Sequence, residues 1–167
     1  MKDLRRRKLT DHLTDARILI QPTTLPLVKI LLSLAETVVE SGFVKDPLEY
    51  YKELANRSSP WIAVSDQTIA PAVKIFQICS SGVKKLTAAL ALCPPGIRVD
   101  GGEPIQIIVL ISVPASSVPS YLALLARVVR LLEPTTHRES LLASTCAAEA
   151  WSVLSHLESE TAPAAHP

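Results

Sequence analysis

Apolar residues recur along this chain with two different periods. Between Leu25 and Ser41, Leu27, Leu31, Leu34 and Val38 return every three or four residues, while Lys29, Ser33, Glu36 and Glu40 fall on the other side. That spacing predicts an amphipathic helix that buries one stripe against a sheet. Thr23 or Thr24 can cap its start, Pro26 suits the first turn and Gly42 suits the stop. Asp46-Pro47-Leu48-Glu49 opens a second helix, because the aspartate can cap, the proline is preset for the first helical position and the glutamate sits three after the cap. This helix should run to about Asn56, with Tyr50 and Tyr51 packing and each hydroxyl near water.

The pattern then tightens. Trp61 to Val64 and Ile69 to Cys79 read as strands, with Pro71 at an edge or a strand start because it cannot donate to a ladder. Lys84 to Leu92 fits either a helix or irregular structure. Pro94-Pro95-Gly96 reads as a turn. Ile97 to Val99 and Pro104 to Val113 flank Asp100-Gly101-Gly102, which predicts a hairpin. Ile105 to Ile111 is almost wholly apolar, as in a central strand buried on both faces.

Helical spacing returns after Val113. Ser116 or Ser117 can cap a helix whose inner stripe is Leu122, Leu125, Val129 and Leu132, and Pro134 ends it. Thr136-His137-Arg138-Glu139 has capping-box spacing. Thr145 starts a last helix with Glu149 near its positive end and Ala148, Trp151, Leu154 and Leu157 inward. The division expected is a basic lead-in over residues 1–8, one domain over 9–158 with Leu13 to Ile20 as a short strand or turn, and a disordered Ala/Pro-rich tail over 159–167.

Composition narrows the function classes. Hydrophobic residues make up 48% of the 167, which is globular rather than disordered. A net charge of +1 and 4% aromatic residues give no basis for binding nucleic acid. Cys79, Cys93 and Cys146 are widely spaced, so reduced thiols in a cytoplasmic setting are expected. No apolar run approaches the ~20 residues of a membrane span. No histidine pair has metal-ligand spacing, and no cofactor is expected.

Two short stretches carry a resemblance. Arg57-Ser58 is followed by Thr68-Ile69-Ala70-Pro71-Ala72, and Tyr121-Leu122-Ala123-Leu124-Leu125 opens the Leu-rich helix. With the order of elements from about Leu9 to Leu157, they resemble the type-2 IIA domains of the bacterial sugar phosphotransferase system, the fructose, mannitol and nitrogen-regulatory type. Those domains carry Arg-Glu after a helix, then Ala-x-Pro-His, then His-Leu-x-x-Leu. The resemblance implies an α/β fold with a mixed sheet flanked by helices, and Pro71 at a strand end facing Tyr121. It implies that the phosphohistidine position holds Ala72, the second histidine position Tyr121 and the glutamate position Ser58. Arg57, Lys74 and Ser58 would remain as an anion-binding remnant. Implied partners are the phosphocarrier HPr, a IIB domain, or a transporter or regulator.

Alanine offers no lone pair to phosphorus, and a tyrosine is a poor base near neutrality. The expectation is therefore a regulatory or protein-binding IIA-like module without catalysis. The alternative is an active phosphoryl carrier whose histidine comes from elsewhere: His12, His137 or His156 would then have to lie close to Arg57. His166 falls in the tail. None of the four has a carboxylate at a spacing that suggests an orienting pair.

Overall fold

A computed structural model describes residues 7–56, 67–99 and 101–161. Two short 3-10 turns, Leu9–Asp11 and Asp15–Arg17, lead into β1 (Ile18–Ile20). Then follow α1 (Leu27–Glu40), α2 (Pro47–Asn56), β2 (Gln67–Ala70), β3 (Val73–Ser80), β4 (Thr87–Ile97) and β5 (Ile105–Pro114). Three helices close the chain: α3 (Val118–Leu132), α4 (Thr135–Leu142) and α5 (Ala147–Thr161). The five strands form one sheet in the order β1-β4-β5-β3-β2. β1 runs parallel to β4 and β3 parallel to β5, whereas β4–β5 and β2–β3 are antiparallel. This is the expected α/β architecture with a mixed sheet flanked by helices.

Alternation along β5 explains its apolar run. Ile107, Val109, Ile111 and Val113 enter one core with α3, α4 and α5, and Ile108 and Leu110 enter a second with α1 and α2. A strand covered on both faces has no polar side to show. In α1, Leu31, Leu34 and Val38 are buried as the period predicts, and Gly42 takes the left-handed conformation, φ 79°, just past the helix end. Asp46 caps α2, its Oδ1 accepting the Glu49 N–H at 3.1 Å.

Several expectations give way to packing. Ile69 to Cys79 is two strands: the chain reverses at Pro71-Ala72, and β2 pairs back on β3. The span from Thr87 is the inner strand β4, where Ala88, Ala89 and Ala91 are fully buried. Alanine has weak strand propensity, but β4 lies between β1 and β5 and is held by pairing on both sides. Pro94-Pro95-Gly96 is no turn. It lies inside β4 as an irregularity between Leu92 and Ile97, with Gly96 at φ 80°. The hairpin after it forms, with Ile97 opposite Ile105.

The stripe of α3 is broader than expected and shifted at its start: Tyr121, Leu124, Val128 and Leu131 are buried together with the expected Leu132, Leu125 packs half-buried against the same core, and Leu122 is exposed. α4 begins at Thr135, one residue before the expected cap, because extended Pro134 sets its start, and no side-chain cap bond forms. In α5 Ala150 is buried in place of Ala148, while Leu154 and Leu157 are buried as expected. That helix continues through Thr161, into the segment whose composition suggested a tail. The expected strand Trp61 to Val64 lies outside the described residues.

The N- and C-terminal ends of the fold are joined by Glu158. This buried carboxylate accepts the Leu9 N–H, the Thr10 N–H at 3.1 Å and the Thr10 hydroxyl at 2.7 Å. Nearby, the Trp151 indole N–H donates to the Leu13 carbonyl at 3.0 Å.

Candidate functional site

Arg57 and Ser58 lie outside the described residues. Ala72 forms the reversal between β2 and β3 at φ 69°, the one non-glycine residue at positive φ among those described. Its carbonyl accepts the N–H groups of Gln106 at 2.8 Å and Ile107 at 3.0 Å, which fastens the turn to the start of β5. An open depression of about 410 Å³ adjoins it, lined by Pro71, Ala72, Gln106 and, from α4, Thr135, Arg138 and Glu139. Arg138 is committed to the end of α3: its Nη1 donates to the Leu132 carbonyl at 2.9 Å and to that of Glu133.

Lys74 does not share that depression. It stands opposite Thr68 and Ile108 and alternates with Phe76 and Ile78, so it falls on the α1 and α2 side of the sheet. Tyr121 is 8% exposed and belongs to the core on the other side, where burial pushes its phenol above the ordinary range.

The expected meeting of Ala72 and Tyr121 is not found. β3 runs parallel to β5, from Val73 opposite Ile107 to Ser80 opposite Pro114. Ala72 precedes the first end of this pair. Tyr121 lies in the first turn of α3, which starts after Pro114 at the other end. A strand rises ~3.3 Å per residue and a helix only ~1.5 Å, so the two positions are ~15 Å or more apart along the strands. Pro71 stands just before the start of β3, as its missing N–H requires, and just after the end of β2.

The β3 residues that alternate onto the face of Tyr121, near its end of the sheet, are Gln77 and Cys79. Both are half-buried, and Cys79 packs against the core that contains Tyr121. Neither stood out in the sequence. The alternation Val73, Ile75, Gln77, Cys79 carries the signal, because it interrupts an apolar face with an amide.

Each described histidine has its own surroundings. His12 is buried, with Nδ1 3.1 Å from the Leu86 carbonyl and Nε2 without a partner. Burial lowers its pKa below 6.5, with Arg7 and Lys85 adding to the effect and the Leu86 carbonyl and Asp11 opposing it. His137 Nδ1 lies 2.8 Å from the Leu131 carbonyl. His156 has a carboxylate after all: Glu160, one turn on, stands 3.2 Å from its Nε2 on the open surface. No His/Cys/Asp/Glu group suited to a metal occurs among the described residues, and no helix among them is long and apolar enough to cross a membrane.

Comparison with known proteins agrees with this architecture. The family "Phosphoenolpyruvate-dependent sugar phosphotransferase system, EIIA 2" matches residues 12–157. The nitrogen regulatory protein IIA-Ntr of Neisseria meningitidis superposes with a TM-score of 0.71 at 17% identity, covering 87% of this chain and 98% of that one. The mannitol-specific cryptic phosphotransferase enzyme IIA CmtB of Escherichia coli gives 0.69 at 18%, covering 90% and 99%. Enzyme IIAMtl of Escherichia coli, solved in complex with phosphorylated enzyme IIBMtl, gives 0.69 at 15%, covering 86% and 97%. No curated protein sequence matches. At these identities the structural likeness speaks for the fold, and the family match spans nearly the whole described chain: the protein belongs to the EIIA 2 family of the phosphoenolpyruvate-dependent sugar phosphotransferase system.

Proposed function

We propose that this is an EIIA domain that has no phosphoryl-accepting histidine and acts by binding a protein partner. The observation that carries the reading is chemical. By motif the acceptor position is Ala72, and neither β3 residue that alternates onto the face of Tyr121 toward its end of the sheet, Gln77 or Cys79, is a histidine. A methyl group offers no nucleophile, and an amide nitrogen has no available lone pair. Tyr121, with its phenol pushed up by burial, cannot act as a base near neutral pH.

A partner is the natural readout for such a domain. The mannitol enzyme of Escherichia coli meets its phosphorylated IIB enzyme in a complex. Here the candidates are HPr, a IIB domain, or a transporter or regulator, in the cytoplasm. Arg57, Ser58 and Lys74 remain candidates for contacting an anion on the partner. The alternation that sends Lys74 to the α1 and α2 side separates it from Ala72.

The test is incubation with phosphorylated HPr, followed by assay for an acid-labile phosphoryl group. No label, together with measurable binding of HPr or a IIB domain, is expected. Stoichiometric labelling overturns the reading. Labelling that disappears in His12→Asn, His137→Asn or His156→Asn would establish the active-carrier alternative.

A further inference from the structure

Ser80 ends β3 opposite Pro114, at the end of the sheet where Tyr121 lies. The chain that follows makes a single bridge, Val83 against Val44. The Lys84 N–H donates to the Phe43 carbonyl and the Lys45 N–H to the Gly82 carbonyl, each at 2.8 Å. Val44 and Val83 are buried, so alternation turns Phe43, Lys45 and Lys84 to the other, outer face. Lys85 reaches the same ring: its Nζ sits 5.2 Å from the centre of Phe43, and so does the Cζ of Arg17. Lys45, Lys84 and Lys85 are exposed, and Phe43 is half-buried.

The positive charge gathered here is not compensated. Arg17 is buried among neutral acceptors, donating to the Ala88 carbonyl at 3.2 Å and to the Ser41 hydroxyl and the His12 carbonyl at 3.1 Å each. Among the described residues none of the four cations has a carboxylate at ion-pair distance. Two carboxylates border the cluster and are engaged elsewhere. Asp46, next to Lys45 in sequence, accepts the Glu49 N–H at 3.1 Å. Asp11, which shares a small cavity with Arg17, Phe43 and Lys85, accepts the Lys8 N–H at 2.8 Å. A buried charge is screened less than an exposed one, so Arg17 adds to the potential of the lysines around Phe43.

Given the protein partner inferred above, on which this step rests, we propose that the patch docks an extended acidic segment of that partner, whose carboxylates pair with Lys45, Lys84 and Lys85. Lys45 and Lys84 are diagonal neighbours across the bridge, so ~7–8 Å separate their Cβ atoms. Alternate side chains of an extended chain repeat at ~7 Å, so two carboxylates two residues apart match the pair. Nucleic acid and anionic membrane fit less well. Three exposed lysines supply few of the phosphate contacts that hold nucleic acid at physiological salt. The Phe43 ring, engaged by two cations, is no open platform for a base. A broad layer of lipid headgroups would press against Asp11 and Asp46 as well, and like charges brought together disfavour the wrong partner.

The probe is an acetylated peptide that alternates glycine with glutamate, set against its glutamine counterpart. Each is titrated into the full chain at low and at physiological ionic strength, read by calorimetry and by backbone amide resonances. The glutamate peptide should bind saturably, more weakly as salt rises, and should move the amides of residues 43–45 and 82–85 most. Lys45→Gln, Lys84→Gln and Lys85→Gln should each weaken it about twofold to fivefold, and the three together by roughly tenfold or more. Lys29→Gln, Arg98→Gln and Arg130→Gln together remove the same charge from exposed positions toward the other end of the sheet, and should change affinity by less than about twofold. An equal loss in both triple variants, equal binding of the glutamine peptide, or no saturable binding at millimolar peptide would each overturn the proposal. Tighter binding of a single-stranded oligonucleotide of the same charge, or of phosphatidylserine vesicles, would overturn it too. Phosphorylated HPr takes no part, so stoichiometric labelling by it refutes the earlier reading and leaves this titration standing, while a failed titration refutes the acidic partner alone.

Discussion

The Tyr50 hydroxyl lies 2.7 Å from the Ser112 Oγ, both fully buried, and the pair fixes α2 against β5. Burial pushes the phenol far above its ordinary range, so it stays neutral and available as a donor. Tyr50→Phe leaves a buried serine hydroxyl without its partner and should lower stability by about 1–3 kcal/mol. Tyr50→Phe with Ser112→Ala should cost less than the sum of the single changes, since neither group is then orphaned. Urea unfolding of the four proteins measures this; strict additivity would show that the bond contributes nothing.

Glu158 gives a second test. Its carboxylate satisfies two backbone N–H groups and one hydroxyl of the N-terminal turn across 149 residues of sequence. Glu158→Ala should free Leu9 and Thr10 and cost about 2–3 kcal/mol, the range for charged buried bonds. Trp151 reports the loss, because its indole N–H is bonded to Leu13 in the same segment. A shift of tryptophan emission to the red before global unfolding is expected. An unchanged emission and midpoint would refute the role given to the carboxylate.

Gly96 and Gly101, of the three glycines near the β4–β5 hairpin, should answer differently to alanine. Both have positive φ, Gly96 at 80° and Gly101 at 71°. A Cβ at Gly101 meets nothing within 4 Å, whereas at Gly96 it would stand 2.7 Å from the Pro104 Cβ. Gly101→Ala should cost about 1–2 kcal/mol, the left-handed penalty alone. Gly96→Ala adds a collision with a rigid ring and should cost clearly more. Thermal midpoints in the reverse order would contradict this packing.

What the sequence made legible follows from periodicity. α1 and β5 carry strong apolar patterns, Leu31-Leu34-Val38 and Ile105–Ile111, and both form where expected. β4 escaped because alanines carry little pattern, and only its neighbours make Ala88 and Ala91 strand residues. The Glu158 clasp escaped because no local signal marks a contact with Leu9. Family membership was readable from short words in the right order. The relation of Ala72 to Tyr121 was not legible because a word does not say which way its strand runs. Once β3 is known to lie parallel to β5, Ala72 and Tyr121 fall at opposite ends.

His12 makes stability depend on pH in a definite direction. Burial holds its folded pKa below the 6.5 expected of the unfolded chain. The unfolded state therefore takes up a proton first as pH falls. Stability from this residue is intact above pH 6.5 and is lost as pH drops from there toward the folded pKa. His12→Asn, which cannot titrate, should show a flatter stability profile below pH 6.5. Arg7, Asp11, Arg17 and Lys85 are the charged groups beside the ring, and Arg7 and Lys85 oppose its protonation. Denaturation midpoints measured across this window check the sign; a wild type that gains stability relative to the variant on acidification would reverse it.

The placement of β3 makes one prediction about engineering a phosphoryl acceptor. Ala72→His would put an imidazole at the turn before β3, next to α4 and far from Tyr121. Gln77→His with Tyr121→His would put two imidazoles on one face at the other end of the sheet. Transfer needs a nucleophile in near-contact geometry with supporting groups, and a misplacement of even ~1 Å is costly. Incubation with phosphorylated HPr should therefore leave Ala72→His unlabelled and give the double variant more acid-labile phosphate than the parent. Labelling of Ala72→His and not of the double variant would return the acceptor position to the turn, and with it the reading of the motif taken from sequence alone.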